Sequence, residues 1–335
     1  MSLRVIKPGL SCSLQDGGRK GWLAMGVPPS GALDPTLRAI ANRLCGNQDE
    51  ATVLEMIGMG PALEVLADRL RIALAGDVSL HIDERPAASW QSHTLVKGQT
   101  LAVGAIARQR AAYLAIQGGF AAPSIMGSRS TYARAGLGLV LSEGLSLSAN
   151  ESGPIEGPER FLPAPAFPPP DRLRVIPGPE FDAFTQDAQR VFFETVWQIG
   201  HLSDRMGLRL QGPRLSHSHG ADIPTEGVVM GAIQVPGDGQ PILLLNDHQT
   251  TGGYAKIACV ISADLAKAGR LAVGQKVRFA AVGWAEARTA LLAAQADLEK
   301  LLSSIRPEAS VDIERLLSAN LVSGAVDALS KDEPC

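Results

Sequence analysis

The stretch VVMGAIQVPGDGQPILLLNDHQTTGGYAKI, residues 228–257, decides how the chain is read. Residues 228–235 are a short apolar run broken by glycine. Residues 241–245 are short and apolar, as a strand buried on both faces would be, and Pro236, Gly237, Asp238 and Gly239 between the two runs are turn formers. Similar short runs punctuate the rest of the chain: LRIAL at 70–74, VSLHI at 78–82 and AYLAI at 112–116. The pattern predicts a mainly β protein. A turn-then-strand pattern, Gly-Gln-x-apolar-x-apolar, occurs at 98–103 and again at 274–279, late in each half. It hints that both halves share one β-barrel plan.

Immediately after the run at 241–245 the chain turns polar. Asp247, His248, Gln249, Thr250, Gly252, Gly253, Tyr254 and Lys256 place a carboxylate, an imidazole, an amide, a hydroxyl, a phenol and an ammonium within ten residues, beside Gln234 on the preceding run. That is how a polar-substrate site would be built, and the two glycines suit positive φ or a close backbone approach. Three other loops carry comparable chemistry. Ser128 and Arg129 lie in MGSRSTY, a loop suited to a carboxylate or phosphate; Gln15 and Asp16 open the turn QDGGR; Asp204 and Arg205 precede Gly207. Each also reads as a solvated turn or a surface ion pair of little consequence. His217 and His219 would share a face of an extended segment, but no third ligand stands nearby, so no metal is predicted.

The 335 residues are enough for two ordinary domains, with 45 % hydrophobic against 19 % charged residues. Residues 151–171 contain seven prolines and cannot continue a helix or a central strand. They are read as a semi-rigid spacer holding apart an N-terminal β-barrel domain, 1–150, and a C-terminal one, 172–283. Asp34 caps and Pro35 opens a helix that Gly46-Asn47 ends; a second helix starts at Trp284 and runs to about Ile305, opening a helical extension over 284–335. The net charge of −3 and the absence of basic runs argue against nucleic acid. No stretch reaches the length of a membrane span or a signal core, and Cys12, Cys45, Cys259 and Cys335 are scattered as reduced thiols, so a cytoplasmic protein is expected.

The motifs DHQTTGGYAKIA (247–258), GAIQVP (231–236), SDRMGLRL (203–210), QDGGR (15–19), GVPPSGALD (26–34) and GSRSTY (127–132) resemble the signatures of the biotin-dependent carboxyltransferase family, also called the allophanate hydrolase subunit 2 family. Its bacterial members include the C subunit of 5-oxoprolinase. The resemblance covers residues 4–283 and implies two cyclophilin-like β-barrel domains with a cleft between them. It also implies a share in the ATP-dependent opening of 5-oxoproline to glutamate, with a tightly held B subunit and a looser A subunit of 5-oxoprolinase as partners. Other relatives transfer carboxyl from carboxybiotin to urea, and some are described as antagonists of a histidine-kinase inhibitor. ATP then belongs to the complex, and biotin would have to come on another chain, since no lysine here lies between methionines. For an amide substrate, Lys256 and Arg205 could polarise the carbonyl, Asp247 could accept from the N–H, and Gln234, Gln249 and Thr250 could orient it. The sequence departs from the family pattern at His248 for Arg, Ala255 for Pro and Thr225 for Ser. A titrating cation at 248 predicts activity that falls as pH rises.

Overall fold

The computed structural model describes residues 2–163 and 167–308. The chain is mainly β, as the alternating runs predict. In the C-terminal half seven strands close into a barrel in the order Arg172–Pro177, Lys256–Val260, Ala232–Gln234, Ile242–Leu244, Gly207–Gln211, Trp197–Ile199 and Lys276–Ala281. Closure comes from a parallel pairing of the first and last of these. Alternation fixes which side chains face in: Leu208, Leu210, Ile233, Val235, Leu243 and Leu245 fill the interior with Trp197 and Phe192. A two-stranded antiparallel ribbon, Asp222–Gly227 with Thr251–Tyr254, stands outside the barrel wall, hairpin-like although two barrel strands lie between its strands in sequence.

The N-terminal half is built on two seven-stranded sheets, the second of which takes its edge strand, Arg306–Pro307, from beyond the barrel half. Leu3, Val5, Leu63, Leu101 and Leu147 of one sheet meet Leu14, Leu54, Ile72, Leu114 and Ile116 of the other in a single core. The second sheet is covered on its far side as well, which is why Ala111–Ile116 is buried along its whole length. On that far side Ala73, Ala75, Ala111 and Ala115 leave room for helix α1, Pro35–Cys45, to lie close. Asp34 caps this helix by accepting from Thr36 N–H at 3.0 Å and Leu37 N–H at 3.3 Å, and Gly46 ends it at φ +82°. Two short helices, α2 (Gln186–Glu194) and α3 (Leu265–Arg270), belong to the barrel half.

Helix α4, Trp284–Ser303, realises the helix expected from Trp284. It spans both halves. Ala287, Ala290, Leu291 and Ala294 pack on Ile261 and Ala263 of the barrel half, while Leu298, Leu301 and Leu302 pack in the α1 cluster. The rest of the expected extension, from 309 onward, lies outside the described residues.

The proline-rich segment does not hold the halves apart. Arg160–Phe161 adds a strand to the N-terminal sheet beside Gln91–Val96, and Arg71 donates to the carbonyls of Glu156 and Gly157 at 3.0 and 2.7 Å. The halves meet directly through the loop 30–34. Leu33 is buried in the barrel's own core, Asn246 Nδ2 donates to the carbonyls of Ser30 and Ala32, and Arg270 Nε donates to Asp34 at 2.7 Å.

Gly269 shows how close this junction is, because a Cβ there would stand 2.0 Å from the Leu33 carbonyl oxygen. Gly269→Ala should destabilise the protein by roughly 1–3 kcal/mol or more. Gly153→Ala, where a Cβ meets open space, should stay within about 0.5 kcal/mol of wild type. Urea unfolding midpoints compare the two directly.

Candidate functional site

Most of the residues singled out from sequence fall into three places. The first is the junction. Arg205 donates through Nε and Nη2 to Asp247 at 2.8 and 3.2 Å, through Nη2 to the Gly31 carbonyl at 2.8 Å, and through Nη1 to Glu55. Glu55 is almost fully buried and also accepts from Leu33 N–H and Tyr113 Oη, each at 2.7 Å. Burial would weaken the Arg205 proton affinity, yet Glu55 and Asp247 outweigh it and raise the pKa. Arg205 and Asp247 are thus neutralised by each other and by Glu55. They reach the wall of a hollow of about 320 Å³ shared with Cys12 and Thr131, where burial pushes the Cys12 thiol up to about 12.

The second place is the turn around Asp16. Its carboxylate accepts from Ser128 Oγ, Ser130 Oγ and Arg129 N–H at 2.6 Å each, and from Gly18 N–H at 2.8 Å. Burial pushes this carboxyl up, but the four donors hold it below the usual range. Gln15 spends its amide on Ser13, the Thr131 carbonyl and Gly31 N–H, and the Arg129 Nε on the Ala122 carbonyl at 3.0 Å. Most of the polar groups of Ser128, Gln15 and Asp16, and the Nε of Arg129, are engaged in fastening three loops together, while Asp16 also lines a hollow of about 410 Å³ beside Lys20 and Glu50.

The third place is a polar cleft of about 430 Å³ on the outer wall of the barrel, beneath the hairpin. It brings together Asp204, Gln234, Gln249 and Tyr254 of the expected residues, and adds Arg134, which carried no signal in the sequence, and Arg209, which lay inside the motif SDRMGLRL without being singled out. Arg134 of the N-terminal half pairs with Asp204 at 3.1 Å, so both halves reach the cleft. Gln249 Nε2 donates to Gln234 Oε1 at 2.8 Å. The return bond is missing: Gln234 Nε2 is buried without a partner. Gly252 lies against it, since a Cβ there would fall 2.4 Å from that nitrogen.

Neither Gly252 nor Gly253 has positive φ; both continue the strand Thr251–Tyr254, so at Gly252 the glycine is needed for a close approach, not for a turn. Thr250 contributes its carbonyl to Val228 N–H at 3.0 Å, which anchors the base of the hairpin. Lys256 points away from the Arg205 pair and is held by Glu180 at 2.9 Å and by Glu226. Burial lowers its pKa, but these two carboxylates more than offset it and raise it. The expected grouping of Lys256, Asp247 and Arg205 therefore divides into two separate ion clusters, one at each end of the loop 246–256.

His248 is fully buried, and burial moves its pKa down despite the Gln249 carbonyl and Asp247. Nδ1 must carry the proton to donate to the Gln249 carbonyl, which leaves Nε2 bare and without a partner. The cation expected here is a neutral imidazole near pH 7, and a pH limb set by it would fall below the ordinary imidazole range. His217 rests against Phe184, its Nε2 bonded to the Val235 carbonyl at 3.1 Å. Among the described residues no three His, Cys, Asp or Glu side chains gather as metal ligands, and no helix is long and apolar enough to cross a membrane.

This two-half β chain belongs to the carboxyltransferase family: the model for the carboxyltransferase domain, subdomains A and B, matches residues 25–281. The chain is similar to the C subunit of 5-oxoprolinase from Escherichia coli K12, 33 % identical over 307 residues that cover 89 % of this chain and 97 % of that one. It is also similar to the urea amidolyase of Lachancea kluyveri, 29 % identical over 90 % of this chain but 18 % of that much longer protein. The solved urea carboxylase of Kluyveromyces lactis superposes over 90 % of this chain and 29 % of its own, with a TM-score of 0.81 and 28 % identity. These relatives are enzymes or parts of one.

Arg205→Met should cost about 3–5 kcal/mol in urea unfolding, because Glu55 is left charged and buried. Adding Glu55→Gln should recover a measurable part; a double variant no better than the single one would deny the coupling. For His248 the depressed pKa means its stabilising share is present above about 6.5, the unfolded value, and is lost as pH falls through the lower folded value. Unfolding midpoints between pH 8 and 5 should therefore decline less steeply in His248→Asn than in wild type.

Proposed function

We propose that this chain is the C subunit of an ATP-dependent 5-oxoprolinase, acting in the cytoplasm with the B and A subunits of that enzyme to open 5-oxoproline to glutamate. The observation that carries the proposal is the half-satisfied amide pair in the cleft. Gln234 and Gln249 share one hydrogen bond and leave one buried donor, Gln234 Nε2, together with one acceptor, Gln249 Oε1, which has no partner among the described residues. A cis amide presents the complementary acceptor and donor side by side. A lactam placed there would give its N–H to Gln249 Oε1, and its carbonyl oxygen would take the hydrogen bond that Gln234 Nε2 lacks once Gly252, which covers that nitrogen, draws back, polarising the bond that has to break.

The other expected residues act through this pair. Asp247 and Arg205 fix one end of the loop that carries Gln249, and Lys256 fixes the hairpin through Glu226. Thr250, Gly252 and Gly253 shape that hairpin, and Tyr254 and Asp204 border the opening. Ser128, Arg129, Gln15 and Asp16 are scaffold for the N-terminal wall. His248 packs beneath the loop as a neutral group.

The same pair would fit the cyclic ureido group of a biotin carried by another chain, which supplies a transferable carboxyl when bound in its carboxylated form. Urea offers an equivalent planar amide, so carboxyl transfer to urea is the second reading, supported by the similarity to urea amidolyase. ATP does not fit in this way. Arg134 is already paired with Asp204, and one further guanidinium is no array for a triphosphate, so ATP is assigned to the other two subunits.

The test is glutamate release from 5-oxoproline and ATP by the three-component complex of this chain with the A and B subunits. Omitting the chain should abolish release, and Gln234→Leu should lower kcat/KM roughly ten- to a hundredfold. Full release without this chain would refute the assignment, and carboxylation of urea in place of glutamate release would favour the second reading.

A further inference from the structure

Resting on that reading, we infer that Arg209 is a specificity residue that binds a carboxylate on the substrate. The substrate class of the cleft is then an amide that also carries an acid group.

The inference begins with strand register. Arg209 stands opposite Ile242, and Ile242 stands opposite Gln234, on three adjacent barrel strands. Leu208 and Leu210, Leu243 and Leu245, Ile233 and Val235 all point into the barrel core, so the alternate positions Arg209, Ile242, Leu244 and Gln234 share the outer face. At about 4.8 Å between strands, the Cα atoms of Arg209 and Gln234 are on the order of 10 Å apart. Between them Ile242 and Leu244 make an apolar floor. The cleft is thus an apolar strip with an amide reader at one edge and a guanidinium at the other. A small saturated ring carrying a lactam on one side and a carboxylate on the other matches that order of groups.

The charges around the strip leave Arg209 available. Asp204 is engaged by Arg134 and by the N–H groups of Met206 and Gly207, and Asp238 accepts from Gln240 N–H. Among the described residues no carboxylate lies within ion-pair distance of Arg209. A guanidinium facing a carboxylate makes a bidentate pair, stronger than a neutral hydrogen bond and oriented by its fork. Urea has no carboxylate and gains nothing from Arg209, so this residue would favour an acid lactam over urea in a cleft whose amide pair accepts both.

The experiment compares wild type, Arg209→Met and Arg209→Lys in the complex with the A and B subunits. KM for 5-oxoproline should rise roughly ten- to a hundredfold in Arg209→Met, with kcat changed far less, and Arg209→Lys should recover part of the loss. The inhibition constant of 2-pyrrolidone, the same lactam without its carboxylate, should be equal in all three. Equal weakening of both ligands, or of neither, would overturn the assignment. Calorimetric titration of the single chain separates this from failure of the functional reading. Wild type must bind 5-oxoproline more tightly than 2-pyrrolidone, and that preference must vanish in Arg209→Met. If the complex proves inactive on 5-oxoproline, the titration still decides the role of Arg209.

Discussion

One buried carboxylate, Glu55, holds the two halves in their mutual setting. It stands in a strand otherwise made of Val53, Leu54, Met56 and Ile57, and a charge in that position is costly unless every lone pair finds a donor. The donors come from three directions: Arg205 from the barrel half, Tyr113 from the neighbouring strand, and the Leu33 backbone from the connecting loop. Asp34 extends the network, because its carboxylate caps α1 and accepts from Arg270, while its own N–H donates to Tyr113 Oη at 2.8 Å. The position of the cleft follows from this arrangement. Arg134 reaches Asp204 across the junction that the loop 30–34 clamps, and Gln249 is placed by a loop whose first turn is pinned at Asp247.

The elements legible in the sequence are those set by local chemistry. Asp34, Pro35 and Gly46 bracket α1 through capping and φ preferences that act within one turn, and the apolar spacing from Ala287 to Leu302 gives α4. What failed to show was anything decided by partners far along the chain. Asp16 and Ser128 look like ligand-binding groups until they are seen bonded to each other across 112 residues. His248 looks like a cation because its burial leaves no local trace. Arg209 and Arg134 look like ordinary surface charges, and only strand register puts the first in line with Gln234. Glu55, an acid inside the apolar run 53–57, is not singled out either, because its three donors lie on other elements.

The halves also share a small device that the repeated Gly-Gln pattern announced. At Gly98 and Gly274 the chain takes positive φ, +87° and +83°, and enters a strand. In each copy the glutamine Oε1 accepts from the N–H three residues earlier, Val96 in one and Ala272 in the other, at 2.9 and 2.8 Å. The same side chain closes the same turn in both halves, which is more than a turn-then-strand sequence requires. The surroundings differ, since one copy leads into an open sheet and the other into the strand that closes the barrel.

The Asp34–Arg270 contact joins groups 236 residues apart, and this separation bears on how the chain is made. At roughly 5–20 residues per second of synthesis, Arg270 leaves the ribosome tens of seconds after Asp34. The N-terminal sheets can collapse on their own core in that interval, while Glu55 and the loop 30–34 still face water with no barrel to meet. Leu33 waits exposed until the barrel interior that receives it exists. Until the barrel forms, that half carries an unfinished polar edge with one apolar residue at its tip, which the later-made strands both fill and hide.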